Sequence, residues 1–370
     1  MRMNEEAMTF RLGELFCGPG GLAWGAHQAK VVDRGRVYVI QHAWATDYDS
    51  DTCATYQRNI SGATSANVIC ADVRTLDLTT LPEIDAFAYG FPCNDFSIVG
   101  ERKGINGHFG PLYRHGVHII DHYRPKFFVA ENVSGISSAN EGKVLDRILN
   151  ELASAGNGYI LTTHLYKAED YGVPQTRHRF FIVGIDQTLH LQYRVPAPTT
   201  AGIPRTARQA LEDPPIPPDV PNQELTRQAE QVIERLSYIR PGENVWNADL
   251  PERLKLNVKG ATLSQIYRRL HPDQPAYTIT GSGGGGTHGY HWQEPRALTN
   301  RERARLQTFP DHFVFEGSKE SVRKQIGMAV PPRLSQVIFT AILQTFAGIA
   351  YPTIPASYAL TQEQLLLPLV

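Results

Sequence analysis

Three short segments of the sequence combine residue types that can do chemistry on a small planar substrate. In GFPCNDFSIVG, Cys93 follows a proline at the end of an apolar run. The segment ENVSG begins with the carboxylate of Glu131, and QTRHRFFIVG supplies Arg177 and Arg179. A thiolate is a strong nucleophile, and a carboxylate with two arginines can hold the polar edge of one planar ring. The pattern predicts nucleophilic catalysis by Cys93.

The same residues also permit a structural interpretation. A lone cysteine is more often an inert buried side chain, and Glu131 with an arginine can form a purely structural ion pair. The neighbouring residues favour catalysis, because each segment lies at one end of an apolar, strand-like run. Spacing by two predicts that Arg177 and Arg179 lie on the same face of an extended segment. We therefore expect the four side chains to converge.

A glycine-rich segment, ELFCGPGGLAWG, follows the first predicted strand. Gly18, Gly20 and Gly21 let the backbone turn sharply and approach a ligand at the start of a helix. This motif alone leaves a cofactor loop and a structural turn equally open. Asp47, at the end of the second predicted strand, supplies a carboxylate suited to ribose hydroxyls, or alternatively a cap for the helix that follows.

Alternating apolar segments must position these residues. Strands are predicted at 36–47, 84–91 and 126–133, and again at YILTTHLY and RFFIVGI. Helices are predicted from Asp49 to Asn59 and from about Gly142 to Ala155. Strands that alternate with helices predict an α/β fold with a mostly parallel sheet, which binds ligands at the carboxyl ends of its strands.

The composition of the sequence changes near residue 195, where a proline-rich segment shows little hydrophobic periodicity. Regular structure resumes at Thr299 and Glu302, a capping-box pair that opens a helix, and a last helix is predicted from Pro331 to Phe346. Four parts follow: a large α/β domain, an inserted irregular module, a helical return to the first domain and a C-terminal tail that docks on the body or on a partner. Their predicted bounds are 1–190, 191–295, 296–350 and 351–370.

Composition excludes some classes of protein. The 370 residues carry a net charge of −1 and are 42% hydrophobic, which is typical of a soluble globular protein. The four cysteines show no close pair and no metal-ligand spacing, so we expect no disulfide scaffold, no metal and a cytoplasmic location. No secretory or membrane-spanning pattern is evident. Net charge does not indicate nucleic acid, and basic runs such as Arg301, Arg303 and Arg305 are more often solvated surface.

The ordered blocks FCGPGG, PCN, ENV, QTRHR, LTNRERARLQTFPDHF and GMAVPP resemble the cytosine-5 DNA methyltransferase family of bacterial restriction-modification systems. The resemblance runs from about Leu12 to Pro332. It implies a Rossmann-like fold dependent on S-adenosyl-L-methionine, with a smaller, irregular target-recognition domain. The implied reaction transfers a methyl group to carbon 5 of a cytosine flipped out of a specific duplex DNA sequence. It also implies a cytoplasmic monomer, not bound to a membrane, that is the partner of a restriction endonuclease.

The resemblance assigns a cofactor role to eight residues. Phe16 and the three glycines would cradle S-adenosyl-L-methionine, and Asp47 would hold its ribose. The adenine would contact Asp72 and its neighbour Val73. Met328, in GMAVPP, stands where the family has an asparagine near the amino-acid end of the cofactor, which removes a polar contact. The full set is Phe16, Gly18, Gly20, Gly21, Asp47, Asp72, Val73 and Met328.

The resemblance also assigns the chemistry. Cys93 would add as a thiolate to carbon 6 of the cytosine, which breaks the aromaticity and lets carbon 5 attack the sulfonium methyl. Glu131, protonated, would bond nitrogen 3 and the exocyclic amine, and Arg179 would bond the carbonyl oxygen of the base. Ser97 and Arg177 would support the site through phosphate contacts or contacts to the other catalytic side chains.

Target choice would lie in the module from about 190 to 295. Thr262, Arg268 and Arg269 are the candidates for DNA contact, since arginine commonly binds guanine, although such residues are as often structural. The loop 100–110 would close over the flipped base, or is alternatively a solvated surface loop. Two further positions depart from the family blocks: Asn94 replaces a commoner glutamine, and Phe109 replaces an arginine.

Three other functions compete with this assignment. An RNA cytosine methyltransferase is disfavoured by the module of roughly a hundred residues, which RNA-directed relatives have in reduced form. A catalytically silent DNA-binding paralogue is disfavoured because Cys93 and Glu131 are both present. An NAD-dependent oxidoreductase would explain the glycine loop but not the PCN, ENV and QTRHR blocks.

Overall fold

The computed structural model describes residues 6–91, 112–136, 143–257, 263–284 and 286–358. These residues form two compact units. The first unit combines the chain up to Lys167 with His178–Pro198 and the chain from Leu334 onward. The second unit combines the short segment Ala168–Arg177 with Thr199–Arg333.

The first unit contains one eight-stranded sheet with the order β2-β3-β1-β5-β6-β9-β7, in which β4 pairs with the carboxyl half of β3. The central pairs β3-β1, β1-β5 and β5-β6 are parallel, whereas β2, β9 and β7 pair antiparallel with their neighbours. The α/β, mostly parallel fold is therefore confirmed. The strands are β1 Glu6–Leu15, β2 Lys30–Asp33, β3 Arg36–Asp47, β4 Val68–Cys70, β5 Ala86–Gly90, β6 Phe127–Val133, β7 Tyr159–Lys167 and β9 His178–Asp186.

Helices cover the sheet because the central strands are apolar on both faces. In β5 and β6 a continuous apolar run is almost fully buried, and its aromatic rings stack on one another, as Phe87 does on Tyr89 at 5.1 Å. Gly116 lets α3 approach this cluster, since a Cβ there would meet the ring of Tyr89 at 2.4 Å. The helices are α1 Gly21–Gln28, α2 Ser50–Asn59, α3 Tyr113–Tyr123, α4 Lys143–Ser154 and α9 Pro332–Ala347, and a small pair joins β10 Val195–Pro196 to β12 Thr353–Ile354.

The antiparallel direction of β9 matters for the site. The carboxyl end of β6 lies beside the amino end of β9, where Val133 pairs with Arg179 and Glu131 with Phe181. A residue that begins β9 therefore lies at the same edge of the sheet as the residues that end β1, β3, β5 and β6. Parallel strands alone would not place Arg179 at this edge.

The second unit has few regular elements and a different kind of interior. Its longest helices have eight and ten residues, and its two short strands pair with each other. Buried arginines hold its irregular backbone: Arg301 donates to three main-chain carbonyls, those of Pro221, Pro310 and Phe313. The elements are β8 Gln175–Thr176, α5 Ala207–Glu212, α6 Glu230–Ser237, β11 Ala276–Tyr277, α7 Asn300–Leu306 and α8 Lys319–Met328.

Several sequence predictions are confirmed at the level of individual elements. The strand 36–47 has the predicted bounds, and the helix after it begins at Ser50 with Asp49 as its N-cap. Thr299 and Glu302 form the predicted capping box. The predicted last helix, 331–346, is found at Pro332–Ala347.

The domain boundaries differ from the prediction at two places. Residues 296–333 group with the second unit, and the helical return to the first begins at Leu334. The reason is local: Arg305 of α7 donates to the carbonyls of Ala210 and Pro214, and Arg301 donates to that of Pro221. The short segment Ala168–Arg177 also groups with the second unit, so the chain leaves the first unit before the predicted boundary.

One stretch of the described residues, Lys319–Ala347, reaches the length and hydropathy of a membrane span, which the sequence inspection did not anticipate. Its most apolar window is 72% buried inside the protein. This is typical of core helices in soluble proteins, so the stretch is weak evidence for a membrane.

Candidate active site

Glu131 and Arg179 meet at the carboxyl edge of the sheet. Arg179 Nε lies 3.0 Å from Glu131 Oε1, and the two side chains are 15% and 13% exposed. The pair holds both groups in a fixed orientation, because a largely buried carboxylate and guanidinium strongly favour each other. Gly90, at the end of β5, makes room for the carboxylate, since a Cβ there would lie 3.2 Å from Glu131 Oε2. Glycine in the GFPC block thus has a steric reason.

Asn132 of the ENV block fixes the end of the neighbouring strand. Its side-chain amide is buried and donates to the main-chain oxygen of Phe91 at 3.2 Å. Phe91 directly precedes Pro92 and Cys93 in the chain. Cys93 lies outside the described residues, as do Asn94, Ser97, Phe109 and the loop 100–110. The amide therefore anchors the last described residue before the predicted nucleophile.

The prediction that Arg177 shares a face with Arg179 is wrong. The extended backbone is interrupted between β8 and β9, and Arg177 belongs to the second unit whereas Arg179 belongs to the first. The Arg177 side chain is 1% exposed and donates to the carbonyls of Ile279, Gly327 and Ala329, each at 3.0 Å. A guanidinium bound in this way holds backbone, and its predicted role in supporting the catalytic side chains stays a prediction.

The glycine loop between β1 and α1 adopts a backbone that few residues tolerate. Phe16, Gly18 and Gly20 have φ values of 53°, 56° and 96°, all in the left-handed region. Gly20 packs closely, with a Cβ position 3.0 Å from the side chain of Ile60. Gly18 faces open space, since nothing lies within 4 Å of its Cβ position. The loop therefore leaves room for a ligand at Gly18.

Asp47 ties this loop to the end of β3. One carboxylate oxygen accepts from the main-chain N–H of Gly18 at 3.0 Å, and the other accepts from that of Asp49 at 3.1 Å. Burial raises the pKa of Asp47 above its usual range, and these hydrogen bonds oppose the shift. The alternative prediction for Asp47 was a helix cap. The cap is Asp49 instead, and its carboxylate accepts from Thr52 N–H at 2.9 Å.

A second carboxylate lies beyond β4. Asp72 caps a single helical turn that contains the buried Val73, and it pairs with Arg74 on the surface. Hydrogen bonds from Arg74 hold the pKa of Asp72 down at about 2. Between this turn and the glycine loop, Tyr48 follows Asp47 with 68% of its surface exposed. Sequence inspection missed Tyr48, although an aromatic residue directly after a ribose-type carboxylate was the available signal.

A buried acid lies beneath the glycine loop and was also missed. Glu14 is 1% exposed and accepts a hydrogen bond from Tyr56 at 3.1 Å through one oxygen. Its other oxygen has no hydrogen-bond partner among the described residues. Burial raises the pKa of Glu14 to about 8, with Tyr56 opposing and Asp47 adding to the shift. Tyr56 also contacts His42 Nδ1 at 3.3 Å.

The predicted DNA contacts of the second unit have different outcomes. Arg269 is 6% exposed, and its donors reach the main-chain carbonyls of Leu236, Ile239 and His291. Its predicted contact with DNA is therefore wrong, because no donor is left for a base. Arg268 is half-buried with its guanidinium 4.7 Å from the ring centre of Tyr277, and Thr262 lies outside the described residues.

Met328 ends α8 in the second unit with 53% of its surface exposed. Its side chain therefore contributes little to the interior of that unit. Among the described residues no cluster of His, Cys, Asp and Glu could hold a metal.

Residues 10–344 match the family model of the C-5 cytosine-specific DNA methylases. The chain belongs to this family. It is 58% identical to the type II methyltransferase M.BbvI of Brevibacillus brevis over 95% of each chain. It is 37% identical to the type II methyltransferase M.NgoFVII of Neisseria gonorrhoeae, over 93% of this chain and 89% of that protein. Curated relatives of this kind span nearly the whole chain.

The fold is also similar to that of a solved structure. The solved structure of a DNA modification methyltransferase encoded within an Escherichia coli prophage superposes with a TM-score of 0.70 over 91% of this chain and 99% of that chain. At 23% sequence identity this similarity concerns the fold alone.

Three of the methylase blocks interlock inside the second unit. Gln175 of QTRHR donates to the Leu306 carbonyl and to the side chain of Gln307, and accepts from the Ile279 N–H. Gln307 in turn donates to the Ile326 carbonyl in the GMAVPP helix. Much of the sequence signal of this methylase family thus lies in residues that hold backbone together.

Proposed function

We propose that this methylase transfers a methyl group from S-adenosyl-L-methionine to carbon 5 of a cytosine in duplex DNA. The observation that carries the proposal is the Glu131–Arg179 pair at the sheet edge that also carries the glycine loop. A carboxylic acid and a guanidinium side by side match the amine, ring nitrogen and carbonyl oxygen of cytosine. The membership of the family supplies the substrate class.

The residues around the glycine loop fit the cofactor. Phe16, Gly18 and Gly20 shape a turn with open space at Gly18, and Asp47 braces it. Asp47 retains lone pairs that can accept ribose hydroxyls, and the exposed ring of Tyr48 offers a face for an adenine. S-adenosyl-L-methionine supplies the activated methyl group when it is bound. Asp72 and Val73 would contact the adenine from the turn after β4, and Gly21 would begin the helix beneath the loop.

Cys93 is the proposed nucleophile. Its thiolate forms a bond to carbon 6, and the electron pair of the 5,6 double bond then becomes available at carbon 5 to take up the methyl group. Methyl transfer releases the donor as the neutral thioether S-adenosyl-L-homocysteine. A water molecule then takes the carbon 5 proton, the released electron pair restores the 5,6 double bond, and the Cys93 thiolate leaves. Because these atoms are stacked inside a duplex, the cytosine must leave the helix first, at a cost of a few kcal/mol.

Glu131 and Arg179 would stabilise the intermediate stage. As the thiolate adds, negative charge develops on nitrogen 3 and on the carbonyl oxygen. Glu131, a carboxylate in its pair with Arg179, would take up a proton from solvent as the base binds and donate it in a hydrogen bond to nitrogen 3. The Arg179 guanidinium would donate to the oxygen. Their mutual contact at 3.0 Å would fix both groups before the base arrives, so little reorganisation is needed.

The biological setting follows from the relatives. Both relatives described above are type II methyltransferases, which supports a modification enzyme of a restriction-modification system. We propose that it acts as a cytoplasmic monomer beside a cognate endonuclease. Target recognition would lie in the second unit, where Arg268 and Thr262 remain candidates for DNA contact. Met328 would weaken the polar contacts near the amino-acid end of the cofactor, and Ser97 would contact the DNA backbone.

Labelled methyl transfer tests the proposal. The protein is incubated with S-adenosyl-L-methionine carrying a radioactive methyl group and mixed-sequence duplex DNA, and the DNA is digested to nucleosides. The proposal expects all label in 5-methylcytosine. Label in another nucleoside, or transfer to RNA in preference to duplex DNA, would contradict it. A variant with Cys93→Ser serves as the control for the nucleophile.

A further inference from the structure

Two largely buried arginines of the second unit, Arg303 and Arg323, donate to no main-chain carbonyl of the described residues. Arg303 of α7 is 3% exposed, and its Nε has no hydrogen-bond partner among the described residues. The Nε of Arg323, on α8, is likewise buried and without such a partner, and the Arg323 side chain is 13% exposed. By contrast, Arg269 and Arg301 donate from every guanidinium nitrogen to main-chain carbonyls.

Nearby carboxylates do not neutralise these two charges. Arg323 reaches Glu320 at 3.4 Å, but that carboxylate is 82% exposed and the contact is long. Glu302, the acid closest in sequence to Arg303, already accepts two hydrogen bonds from Arg296, at 2.8 and 2.9 Å. A surface contact of the Glu320 kind contributes little to stability. Positive charge is therefore in excess at this place.

The neighbours confirm an electropositive surrounding. Burial lowers the pKa of Arg303 to about 10, and Arg323 adds to the decrease. Burial also lowers the pKa of His288 to about 4, with Arg303, Arg323 and Lys319 adding to it. The charges of Arg303 and Arg323 repel each other, and an anion that joins them would offset this repulsion.

An anion can reach Arg323 at the glycine-rich segment that packs on its guanidinium. A Cβ at Gly283 would lie 2.3 Å from the Cζ and Nε of Arg323, so the guanidinium packs directly under the main chain. Ser282 and Gly284 are exposed on the same segment, and Gly284 has a φ of 122°. No described residue accepts a hydrogen bond from the N–H of Ser282, Gly283 or Gly284. Successive unpaired N–H groups form concavities that bind anions.

We propose that Arg323, with the main-chain N–H groups of Ser282–Gly284, binds a phosphate of the DNA backbone, and that Arg303 supports it from beneath. This inference rests on the proposed function, which makes DNA the substrate. A phosphodiester carries the negative charge that would balance the two arginines. Its oxygens accept hydrogen bonds from N–H groups and from a guanidinium. Glycine at 283 lets the Arg323 guanidinium pack against the main chain, and a side chain there would push the guanidinium aside. Arg303 acts as a positioning residue, since its guanidinium is too buried to reach the duplex directly.

The salt dependence of DNA binding tests the inference. Binding of a mixed-sequence duplex is followed by fluorescence anisotropy at several salt concentrations, for the native protein and for Arg323→Gln and Arg323→Lys. Because one phosphate contact changes the slope of log K against log [salt] by about 0.9, Arg323→Gln is expected to reduce that slope by about 1. Arg323→Lys is expected to restore most of it. In methyl transfer, Arg323→Gln raises the KM for DNA and leaves kcat within a few-fold.

The matched control is Arg253→Gln in the same unit. Arg253 is 63% exposed and pairs with Glu234, so its loss is expected to leave the slope unchanged. Arg303→Met, checked for native circular dichroism, is expected to weaken DNA binding in the same direction as Arg323→Gln. Should Arg303→Met fail to fold, the Arg323 variants alone decide.

Two results would overturn the inference. One is an unchanged slope and KM for a folded Arg323→Gln variant. The other is an equal loss in Arg253→Gln, which would mean that any positive charge of the unit contributes. Failure of the proposed function is distinguishable, because the native protein would then transfer no methyl group to duplex DNA whatever the slope.

Discussion

Both units of the methylase have buried apolar clusters, but they pair their buried main-chain groups in different ways. The first unit has an eight-stranded sheet whose main-chain hydrogen bonds pair strand with strand around an apolar core. The second unit has short elements, and arginine side chains take over the task of pairing buried carbonyls, as Arg269 does for Leu236 and Ile239. Buried polar groups need partners in either case.

This difference indicates which buried charged residues are candidates for binding a ligand. In the first unit the sheet pairs most of the buried backbone, so a charged residue such as Glu131, whose partner is the side chain of Arg179, is a candidate for binding a substrate. In the second unit a buried arginine is structural by default, as Arg177 and Arg269 are. There the informative arginines are those that lack main-chain acceptors, which singles out Arg303 and Arg323.

The comparison is tested most strongly at Glu131. Glu131→Gln removes the proton that we place at nitrogen 3, so kcat for methyl transfer is expected to fall by about 10²–10⁴-fold. The native circular dichroism spectrum should persist, because the sheet does not depend on this carboxylate. The exposed Glu83, changed to Gln, is the matched control in the same unit. An unchanged kcat in Glu131→Gln would mean that the charged residues of the first unit are structural too.

Arg269 is the corresponding test of the second unit. Arg269→Met leaves several buried carbonyls without donors, and each such group costs about 1–3 kcal/mol. We expect the free energy of unfolding to fall by at least about 3 kcal/mol on that basis. Hydrogen exchange should speed up first around Leu236–Ile239 and His291–Trp292, whose carbonyls it binds. The half-buried Arg268→Met is the control, and equal losses in both variants would contradict the comparison.

Glu14 sharpens the comparison through pH. Its pKa is raised from 4.5 to about 8 in the folded protein, so the folded state holds the proton more tightly than the unfolded state does. This contribution to stability is fully present below about pH 4.5 and is lost as the pH rises through about 8. Glu14→Gln is expected to remove that fall.

The measurement is urea unfolding of both proteins at several pH values, compared as a difference so that other titrating groups cancel. The groups that face Glu14 are Tyr56 and His42 on one side and Cys17 and Asp47 on the other. A difference between the two proteins that does not change with pH would show that folding does not shift the pKa of Glu14.

The smallest effect is expected at Met328. Its side chain is 53% exposed, so Met328→Asn should leave stability unchanged. Because the family has an asparagine at this position, we expect Met328→Asn to decrease the KM for S-adenosyl-L-methionine by less than about tenfold, the worth of one hydrogen bond. An increase in that KM would mean that the methionine itself contacts the cofactor.

Much of the first unit could be predicted from the sequence, because its strands are continuous apolar runs that end in polar residues. The bounds of the strand 36–47 and the positions of Glu131 and Arg179 at strand ends follow from that pattern. Arg177 could not be placed in this way. Alternate spacing assumes one continuous strand, whereas the chain passes from one unit to the other between Arg177 and His178.

The second unit was harder to predict for a physical reason. A buried arginine donates to main-chain carbonyls from distant parts of the chain, as Arg301 donates to those of Pro221 and Phe313. Sequence periodicity carries no such information, so the basic run at 301–305 suggested solvated surface. Glu14 was missed for a similar reason. The position of an acid in an apolar strand does not reveal which tyrosine donates a hydrogen bond to it.

The most direct test of the account is to trap the covalent bond to Cys93. In duplex DNA that contains 5-fluorocytosine in place of cytosine, carbon 5 has no proton to lose, so elimination of the thiolate stops after methyl transfer. With S-adenosyl-L-methionine, the native protein is expected to form a complex with this DNA that survives denaturing electrophoresis, and Cys93→Ala is expected to form none. A stable complex with Cys93→Ala, or none with a native protein that methylates ordinary DNA, would contradict the account.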